Sequence, residues 1–360
     1  MRETNRRLLR RFTPCRPALF SARQILYSID VSASETQTLR EPTFPDVKMN
    51  LVPPTKPVTG RVVSNRLCMK GKSASFVRHV AIDVAGTPLA GQVHAGQAFG
   101  VIPPGTDEKG KPHKVRLYSN ASPGFGEDGD GAVLSTTAKR LIDEFHPQSD
   151  KDDPDDHRLH LGVASNYICD LRVGDEVTVS GPNGKRFLLP ENREDFDYLF
   201  IATGTGIAPF RGMLKELFEH PNRPPTESQV RLIMGTPYTT DLLYDDWLRD
   251  LDQKFQNFEY ETAISREPRP DGRRGGYVHH RLAERIDEYR DLLTSPRTLI
   301  YICGLAGMQV GVFHELAKAG LGEGYLKVHE EVAGLDPADW TTDQVKRRVR
   351  PTSRCMLEVY

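Results

Sequence analysis

The stretch 197–211, DYLFIATGTGIAPFR, decides the fold: an apolar strand runs straight into a glycine turn, and the turn into a helix carrying Pro209 in its first turn. Gly204 and Gly206 allow a tight turn and a close approach of backbone to ligand, proline suits a first helical turn, and the helix start presents free N–H groups to an anion. The pattern predicts a phosphate seat. Its spacing is not G-x-G-x-x-G, because Pro209 stands at the third glycine position, and no G-K-[S/T] follows. Neither the usual dinucleotide fingerprint nor a nucleotide-hydrolysing loop is therefore matched.

From about residue 193 the chain alternates strand and helix, which predicts a parallel sheet covered on both faces. Strands are expected at 198–203, 230–235, 258–265, 298–303 and 356–360, and helices at 209–219, 242–251 (capped by Asp241), 278–293 and 308–319. Ligands in such sheets bind beyond the carboxyl ends of the strands. Those ends carry Thr203, Gly204, Thr205 and Gly206, then Gly235-Thr-Pro237, Ser265-Arg266, Cys303-Gly304 and Glu358-Val-Tyr360. A row of glycines, hydroxyls, a cation, a thiol and an acid is what a nicotinamide dinucleotide site needs.

Upstream, short alternating segments at 58–65, 75–84, 97–103, 113–119, 131–142 and 175–181 are separated by turn signals such as Gly105 and Pro182-Asn183-Gly184, and they predict a small antiparallel barrel. The expected fold is α/β two-domain: an antiparallel β-barrel over 51–192, then a doubly wound parallel-sheet nucleotide-binding domain over 193–360, after a leader or disordered tail at 1–50. The acidic run 150–156, DKDDPDD, interrupts the barrel and is expected to be a solvated loop, with no metal site.

The formal net charge of −1 argues against wholesale nucleic-acid binding, and no apolar run approaches the roughly 20 residues of a membrane helix. Residues 1–48 hold nine Lys or Arg and five Asp or Glu, a surplus of +4, so the remainder carries −5. The opening arginines Arg6, Arg7, Arg10, Arg11, Arg16 and Arg23 have the composition of an organelle transit peptide; the competing reading is a disordered or wrongly included leader, with Met49 as the mature start. Cys15, Cys68, Cys169, Cys303 and Cys355 form no C-x-x-C pair, which speaks against a zinc ribbon, an iron–sulfur cluster or a disulfide framework and fits a reducing compartment. The expected location is cytoplasmic, or plastid if residues 1–48 are a transit peptide.

From about Val58 to the end, the chain resembles plant-type ferredoxin-NADP reductase through RLYS (116–119), GVASNYICDL (162–171), GDEVTVSGPNGK (174–185), ATGTGIAPFR (202–211), LLY (242–244), AISRE (263–267), YICGLAGM (301–308) and the terminal EVY. The resemblance implies FAD in the barrel, NADP(H) in the second domain, and ferredoxin or flavodoxin as electron partner. It further implies that Arg116 takes the FAD pyrophosphate, where a guanidinium fork suits better than a lysine. Leu117 belongs to the same motif, Tyr118 faces the isoalloxazine, and Ser119 offers a hydroxyl near flavin N5. Taken alone, RLYS reads as a plain alternating strand with Leu117 buried. Gly162, Val163, Ala164 and Ser165 match the second pyrophosphate motif; Ala164 stands where the family usually has cysteine, which backbone binding tolerates.

On the nucleotide side, Thr203–Gly206 and Gly304 correspond to the NADP pyrophosphate and nicotinamide stations. Ser265 and Arg266 correspond to the pair that holds the 2′-phosphate, Tyr277 to the ring that stacks nearby, and Lys139 to a basic residue touching the NADP phosphates. Alone, Arg266 reads as a solvent-facing loop charge and Cys303 as a packed, inert thiol. The resemblance implies instead that Ser119, Cys303, Glu358 and Tyr360 form the catalytic set, with Tyr360 occupying the place the nicotinamide must take. Two departures stand out: Arg354-Cys355-Met356 replaces the usual tryptophan of the last strand, and Ile142-Asp143 stands where a tyrosine often stacks on the FAD adenine. The expected activity is hydride exchange between NADP(H) and the flavin coupled to one-electron transfer with the carrier, in a monomer. The rival readings are a reductase dedicated to an oxygenase and a non-catalytic electron-transfer subunit.

Overall fold

The computed structural model describes residues 41–73, 75–144, 153 and 156–360. The leader arginines, Cys15 and all of the acidic run except Asp153 and Asp156 lie outside the described residues. Residues 41–48 lie against the body of the protein: Glu191 N donates to Thr43 O at 2.8 Å, and Phe44 packs on the apolar core.

Six antiparallel strands form the first sheet: β1 (Val58–Leu67), β2 (Val77–Asp83), β3 (Ala98–Ile102), β4 (Arg116–Ser119), β5 (Val133–Lys139) and β8 (Glu176–Asn183), in the order β4-β3-β8-β1-β2-β5. An antiparallel bridge between Asn120 and Thr136 joins the two edges and rolls the sheet into a barrel. Period-two alternation puts Val62, Val80, Ile82, Phe99, Val101, Leu134, Val177 and Val179 inside. Between β5 and β8 lie a small hairpin, β6 (Ile142–Glu144) with β7 (Leu159–Leu161), and helix α1 (Val163–Asp170), whose Ile168 and Cys169 plug the barrel core.

The second sheet is wholly parallel, in the order β11-β10-β9-β12-β15, built from β9 (Asp197–Thr203), β10 (Val230–Thr236), β11 (Phe258–Ile264), β12 (Thr298–Gly304) and β15 (Cys355–Val359). Both faces are buried, so the strands read as continuous apolar runs. Tyr198 and Phe200 face helices α2 (Ile207–Phe218) and α3 (Asp245–Lys254); Leu199 and Ile201 face α4 (Val278–Glu284) and α6 (Met308–Lys318).

Several boundaries differ from expectation. The third helix begins at Asp245, not at 242, because Tyr244 takes a left-handed φ of 58° and Asp241 is buried in a preceding 3-10 turn, accepting from Ser73. The expected helix 278–293 breaks into α4 and a short α5 (Arg290–Thr294), separated by Arg285, whose guanidinium is drawn to Glu259 and Glu288. Between α6 and β15 the chain adds β13 (Leu326–Val328), α7 (Glu330–Ala333), α8 (Thr342–Arg348) and β14 (Val349–Pro351), a cap sealed by the buried Trp340. Arg354, in place of the tryptophan, is also buried; its guanidinium donates to the carbonyls of Pro296 and Thr298 and ties the start of β15 to β12.

The barrel keeps its own core, but the apolar core on one face of the parallel sheet extends to the barrel's exit. Phe187 and Leu189, in the connection leaving the barrel, pack with Phe210 and Tyr301, and the Tyr301 hydroxyl donates to Leu188 O at 2.7 Å. Helix α2 comes closest to the barrel at Gly212, where an added Cβ would fall 2.5 Å from Ser122 O. Gly212→Ala forces a backbone-to-backbone shift at this junction and is expected to destabilise the protein by about 1–3 kcal/mol; urea unfolding that matches wild type would show that the approach carries no strain.

Candidate active site

In the parallel sheet the chain runs outward from β9 through β10 to β11, then crosses back to β12 and β15, so the topology reverses between β9 and β12. A crevice opens beyond the strand ends at such a switch point. The residues there are Thr203 and Gly304, closely packed: Thr203 Oγ1 accepts from Leu305 N at 3.0 Å, and an added Cβ on Gly304 would meet that same oxygen at 2.2 Å. The two turn glycines serve different ends. Gly206 has no room for a side chain, its virtual Cβ falling 2.2 Å from Cys303 O, whereas Gly204, at φ 54°, faces open space. Helix α2 continues the 3-10 turn Gly204–Gly206 with no side-chain cap and no acid in its first turn; Ile207 N already donates to Gly204 O and Pro209 has no N–H, so the anion seat is made by the N–H groups of the turn itself.

Parallel pairing of β12 with β15 sets Cys303 opposite Glu358. Across the domain junction Ser119 Oγ donates to Glu358 Oε1 at 3.3 Å. Burial pushes the Glu358 carboxyl above its ordinary 4.5, with the Ser119 bond opposing, and burial likewise drives the Cys303 thiol well up, so the thiol is neutral. Tyr360 is held at both backbone ends, its N donating to Gly304 O at 3.0 Å and its O accepting from Ala306 N at 2.9 Å. Its hydroxyl lies 2.6 Å from Thr205 Oγ1, laying the ring over the nucleotide turn. Ser119, Cys303, Glu358, Tyr360, Thr203–Gly206 and Gly304 are thus one cluster.

A second station lies at the ends of β10 and β11. Ser265 N donates to Thr236 O at 3.0 Å and Arg266 N to Pro237 O at 2.9 Å. The loop returns tightly through Gly275, with no room for a side chain beside Ile264 O, and Gly276 N donates to Ile264 O at 2.9 Å, which delivers the exposed ring of Tyr277 to the same strand end. Arg269 and Arg273 are engaged by Glu284 and Asp271, both at 2.7 Å, whereas exposed Arg266 has no carboxylate partner among the described residues. Lys139 ends β5, exposed and paired with Val77, with no hydrogen bond or ion pair to either station among the described residues.

On the barrel, Arg116 is exposed, and among the described residues its side chain makes one hydrogen bond, to Val115 O, long at 3.4 Å, so its guanidinium is available. Leu117, read from the pattern as buried, is 57% exposed: β4 lies at the barrel edge and turns this side chain outward. Tyr118 packs against the core beside Ile168 and Cys169, placing β4 next to α1. Helix α1 repeats the design of α2, starting from Gly162 with no side-chain cap and no acid in its first turn; Ser165 Oγ donates to Gly162 O at 3.1 Å and accepts from Leu141 N at 3.1 Å, holding the turn. Val163 is exposed and Ala164 buried, so binding here falls to backbone. An exposed guanidinium and an uncapped helix start, on two elements that pack against the same core, are the two kinds of group that bind a pyrophosphate, and the residues present therefore fit FAD. Where the adenine-stacking tyrosine is missing, Ile142 pairs with Leu161, both half exposed. Among the described residues no cluster of His, Cys, Asp or Glu is placed to hold a metal, and no helix is long and apolar enough to cross a membrane.

Sequence reasoning assigned no role to Arg211 or Tyr244, although both fall in the quoted motifs. Arg211 bonds Glu127 and Ala121 O of the barrel, and the Tyr244 hydroxyl lies 2.9 Å from His79 Nδ1. Their partners are far away in the chain, and no local pattern signals them.

Residues 200–313 match the oxidoreductase NAD-binding domain family. A ferredoxin–NADP reductase of Spirulina sp. is 35% identical over 318 residues, covering 88% of this chain and 99% of the relative. The root-type chloroplastic ferredoxin–NADP reductase of Nicotiana tabacum is 36% identical, covering 79% and 73%. The structure of ferredoxin-NADP+ reductase from Plasmodium falciparum with 2′P-AMP shares the fold at a TM-score of 0.62 and 21% identity, covering 86% of this chain and 99% of that one. A six-stranded antiparallel flavin domain, a five-stranded parallel nucleotide domain and a 35% identical relative matched along 99% of its length lead to one assignment: the chain belongs to the ferredoxin–NADP reductase family.

Proposed function

We propose that this oxidoreductase exchanges reducing equivalents between NADP(H) and ferredoxin through the cluster of Ser119, Cys303, Glu358 and Tyr360. FAD, when bound, links two-electron hydride chemistry to the one-electron steps of the carrier. The observation that carries the reading is the 3.3 Å contact of Ser119 with Glu358, residues 239 apart in the chain and on opposite domains. A nicotinamide entering from the nucleotide turn meets the barrel at this contact.

Each group has a task that follows from its setting. Arg116 and the N–H groups of 162–165 hold one pyrophosphate; the turn Thr203–Gly206, which leads into α2, holds the other. Ser265, Arg266 and Tyr277 select the 2′-phosphate, with Lys139 assisting at the phosphates. Tyr118 backs the flavin ring, and Cys303 with Gly304 gives the nicotinamide a close, neutral wall. Glu358 Oε1 holds a proton to higher pH than an exposed carboxyl, and the Ser119 hydroxyl orients it. Tyr360 covers the nicotinamide position and must swing away, breaking its bond to Thr205. The flavin-binding unit spans 51–192 and the nucleotide-binding unit 193–360, flavodoxin is a second carrier, and the enzyme is a monomer. It works in the cytoplasm, or in a plastid if residues 1–48 are a transit peptide; the relatives include a chloroplastic form.

Anaerobic titration of the purified yellow protein tests the reading. NADPH bleaches the flavin at far lower concentration than NADH, and Arg266→Ala closes most of that gap, a loss of about 1.5–3 kcal/mol for one charged hydrogen-bonded contact; a colourless protein, or bleaching by NADH alone, overturns it. Tyr360→Ser opens the nicotinamide position, so oxidised nicotinamide nucleotides bind tighter and selectivity for NADP weakens; equal affinities before and after would remove Tyr360 as a gate. Because burial raises the Glu358 pKa, its protonated form persists above 4.5, and the hydride-transfer rate carries an inflection above that pH rather than below it. Glu358→Gln loses this inflection along with about a hundredfold in rate, whereas an unchanged profile assigns the titration elsewhere.

A further inference from the structure

Arg211 is 6% exposed although it carries a permanent charge. Its guanidinium is committed across the domain junction. Nη1 donates to Ala121 O at 2.8 Å, Nη2 donates to Glu127 Oε2 at 3.0 Å, and Nη1 also reaches Glu127 Oε1. Glu127 accepts in turn from Ser135 Oγ at 2.7 Å. Over the guanidinium, at 5.3 Å, lies the ring of Tyr244, whose hydroxyl sits between His79 Nδ1 at 2.9 Å and Thr137 Oγ1 at 2.5 Å. With neutral His79 the relay can run in either sense, the Tyr244 hydroxyl donating to Nδ1 and accepting from the threonine, or accepting from Nδ1–H and donating to the threonine.

Ala121 lies two residues beyond Ser119, and the segment between them has little freedom. Ser119 O accepts from Thr136 Oγ1 at 2.9 Å, Asn120 N donates to Gln97 O at 2.7 Å, and Ala121 N donates to Ser135 O at 2.8 Å. The barrel thus holds one side of the segment, and helix α2 holds the other through Arg211 and the close approach of Gly212 to Ser122 O. The same helix begins at the nucleotide turn, about 6 Å along its axis from Arg211 at ~1.5 Å per residue. A rigid element therefore runs from the nucleotide turn to the serine that meets Glu358.

We propose that Arg211 is a positioning residue for hydride transfer: by pinning Ala121 O to the helix that starts at the nucleotide turn, it sets the spacing of Ser119 from Glu358 and Cys303. The proposal rests on the reading that Ser119 and Glu358 flank the reacting rings. It goes beyond domain adhesion, because a purely adhesive pair leaves the chemical step alone once the protein is folded.

The test is Arg211→Lys in the FAD-loaded enzyme, since an ammonium keeps the charge but cannot fork to Ala121 O and both Glu127 oxygens. Well below the melting temperature, flavin content, reduction by dithionite and NADP affinity stay at wild-type values. The rate of flavin reduction by NADPH in anaerobic stopped flow falls about tenfold, as misplacement by a fraction of an ångström requires, and the nicotinamide–flavin charge-transfer absorbance weakens with it. Wild-type rate and charge-transfer absorbance, even with a lowered melting point, overturn the proposal. Should Arg211→Lys lose FAD or fail to fold, Tyr244→Phe removes only the hydroxyl that fixes the ring over the guanidinium; about a threefold loss in the same rate supports the proposal, and an unchanged rate overturns it. Ser119→Ala run in parallel separates the two readings: if it reduces as fast as wild type, the role of Ser119 fails, whatever Arg211 does.

Discussion

Every distance in the site inherits the seating of helix α2 on the barrel. Hydride chemistry needs reacting atoms held within a few tenths of an ångström, yet the groups that hold them come from two sheets with separate topologies. A flexible hinge would spoil the geometry. The chain avoids one by carrying the apolar core of the parallel sheet up to the junction, with Phe187 from the barrel exit packed tilted against Phe210 and edge-on to Tyr301, and by setting a polar cluster beside it. The apolar part is not directional, so it resists separation without fixing an angle. Direction comes from the forked bonds of Arg211 and from the backbone contact at Gly212, which admit one arrangement.

That polar cluster is costly to bury, and its charge states show how the cost is met. Burial acts to raise the Glu127 pKa, but the Arg211 bonds overrule it and hold the carboxyl at about 2. His79 is pushed the other way, to about 3, by burial and by the Arg211 charge, and remains neutral. Both shifts act in the same sense. The depressed carboxyl stabilises the fold above its ordinary 4.5 and loses that contribution as pH falls toward 2; the depressed imidazole is favourable above 6.5 and becomes a liability as pH falls toward 3. The junction is thus fully formed at neutral pH, and removing one member of the pair strands the other at about 3–5 kcal/mol.

The parallel sheet was legible because two-sided burial writes itself as unbroken apolar runs, and the glycine turn after 203 because no other residue fits beside Cys303 O. Boundaries failed where tertiary contacts override propensity. Tyr244 accepts a left-handed backbone so that its hydroxyl can reach His79 and Thr137, and the helix starts late in consequence. Leu117 alternates like a core residue and is exposed, because β4 is an edge strand and turns this side chain outward. The cap of β13, α7, α8 and β14 went unread because its elements are three to seven residues long, too short for a periodicity. Arg211 stood in the first stretch quoted, but Glu127 is 84 residues away and Tyr244 is 165 from His79. Local pattern carries no trace of such partners.

The two anion seats explain which parts of the site tolerate change. Helices α1 and α2 both start on glycine, uncapped and free of acids in the first turn, so each seat is built from peptide N–H groups that any residue supplies. Ala164 is buried at the start of α1, so a change of side chain there is a packing change that leaves the peptide N–H groups in place. The reacting centre has the opposite construction. Ser119 and Glu358 meet across two domains through side-chain oxygens, and burial there outweighs the hydrogen bond that favours the charged carboxyl, so its pKa is raised. Replacing either oxygen changes the chemistry of the contact, and moving either backbone by the width of a methyl group breaks it. The two seats are thus made of backbone that a substitution leaves in place, whereas the contact across the domains is made of two side chains, one from each sheet.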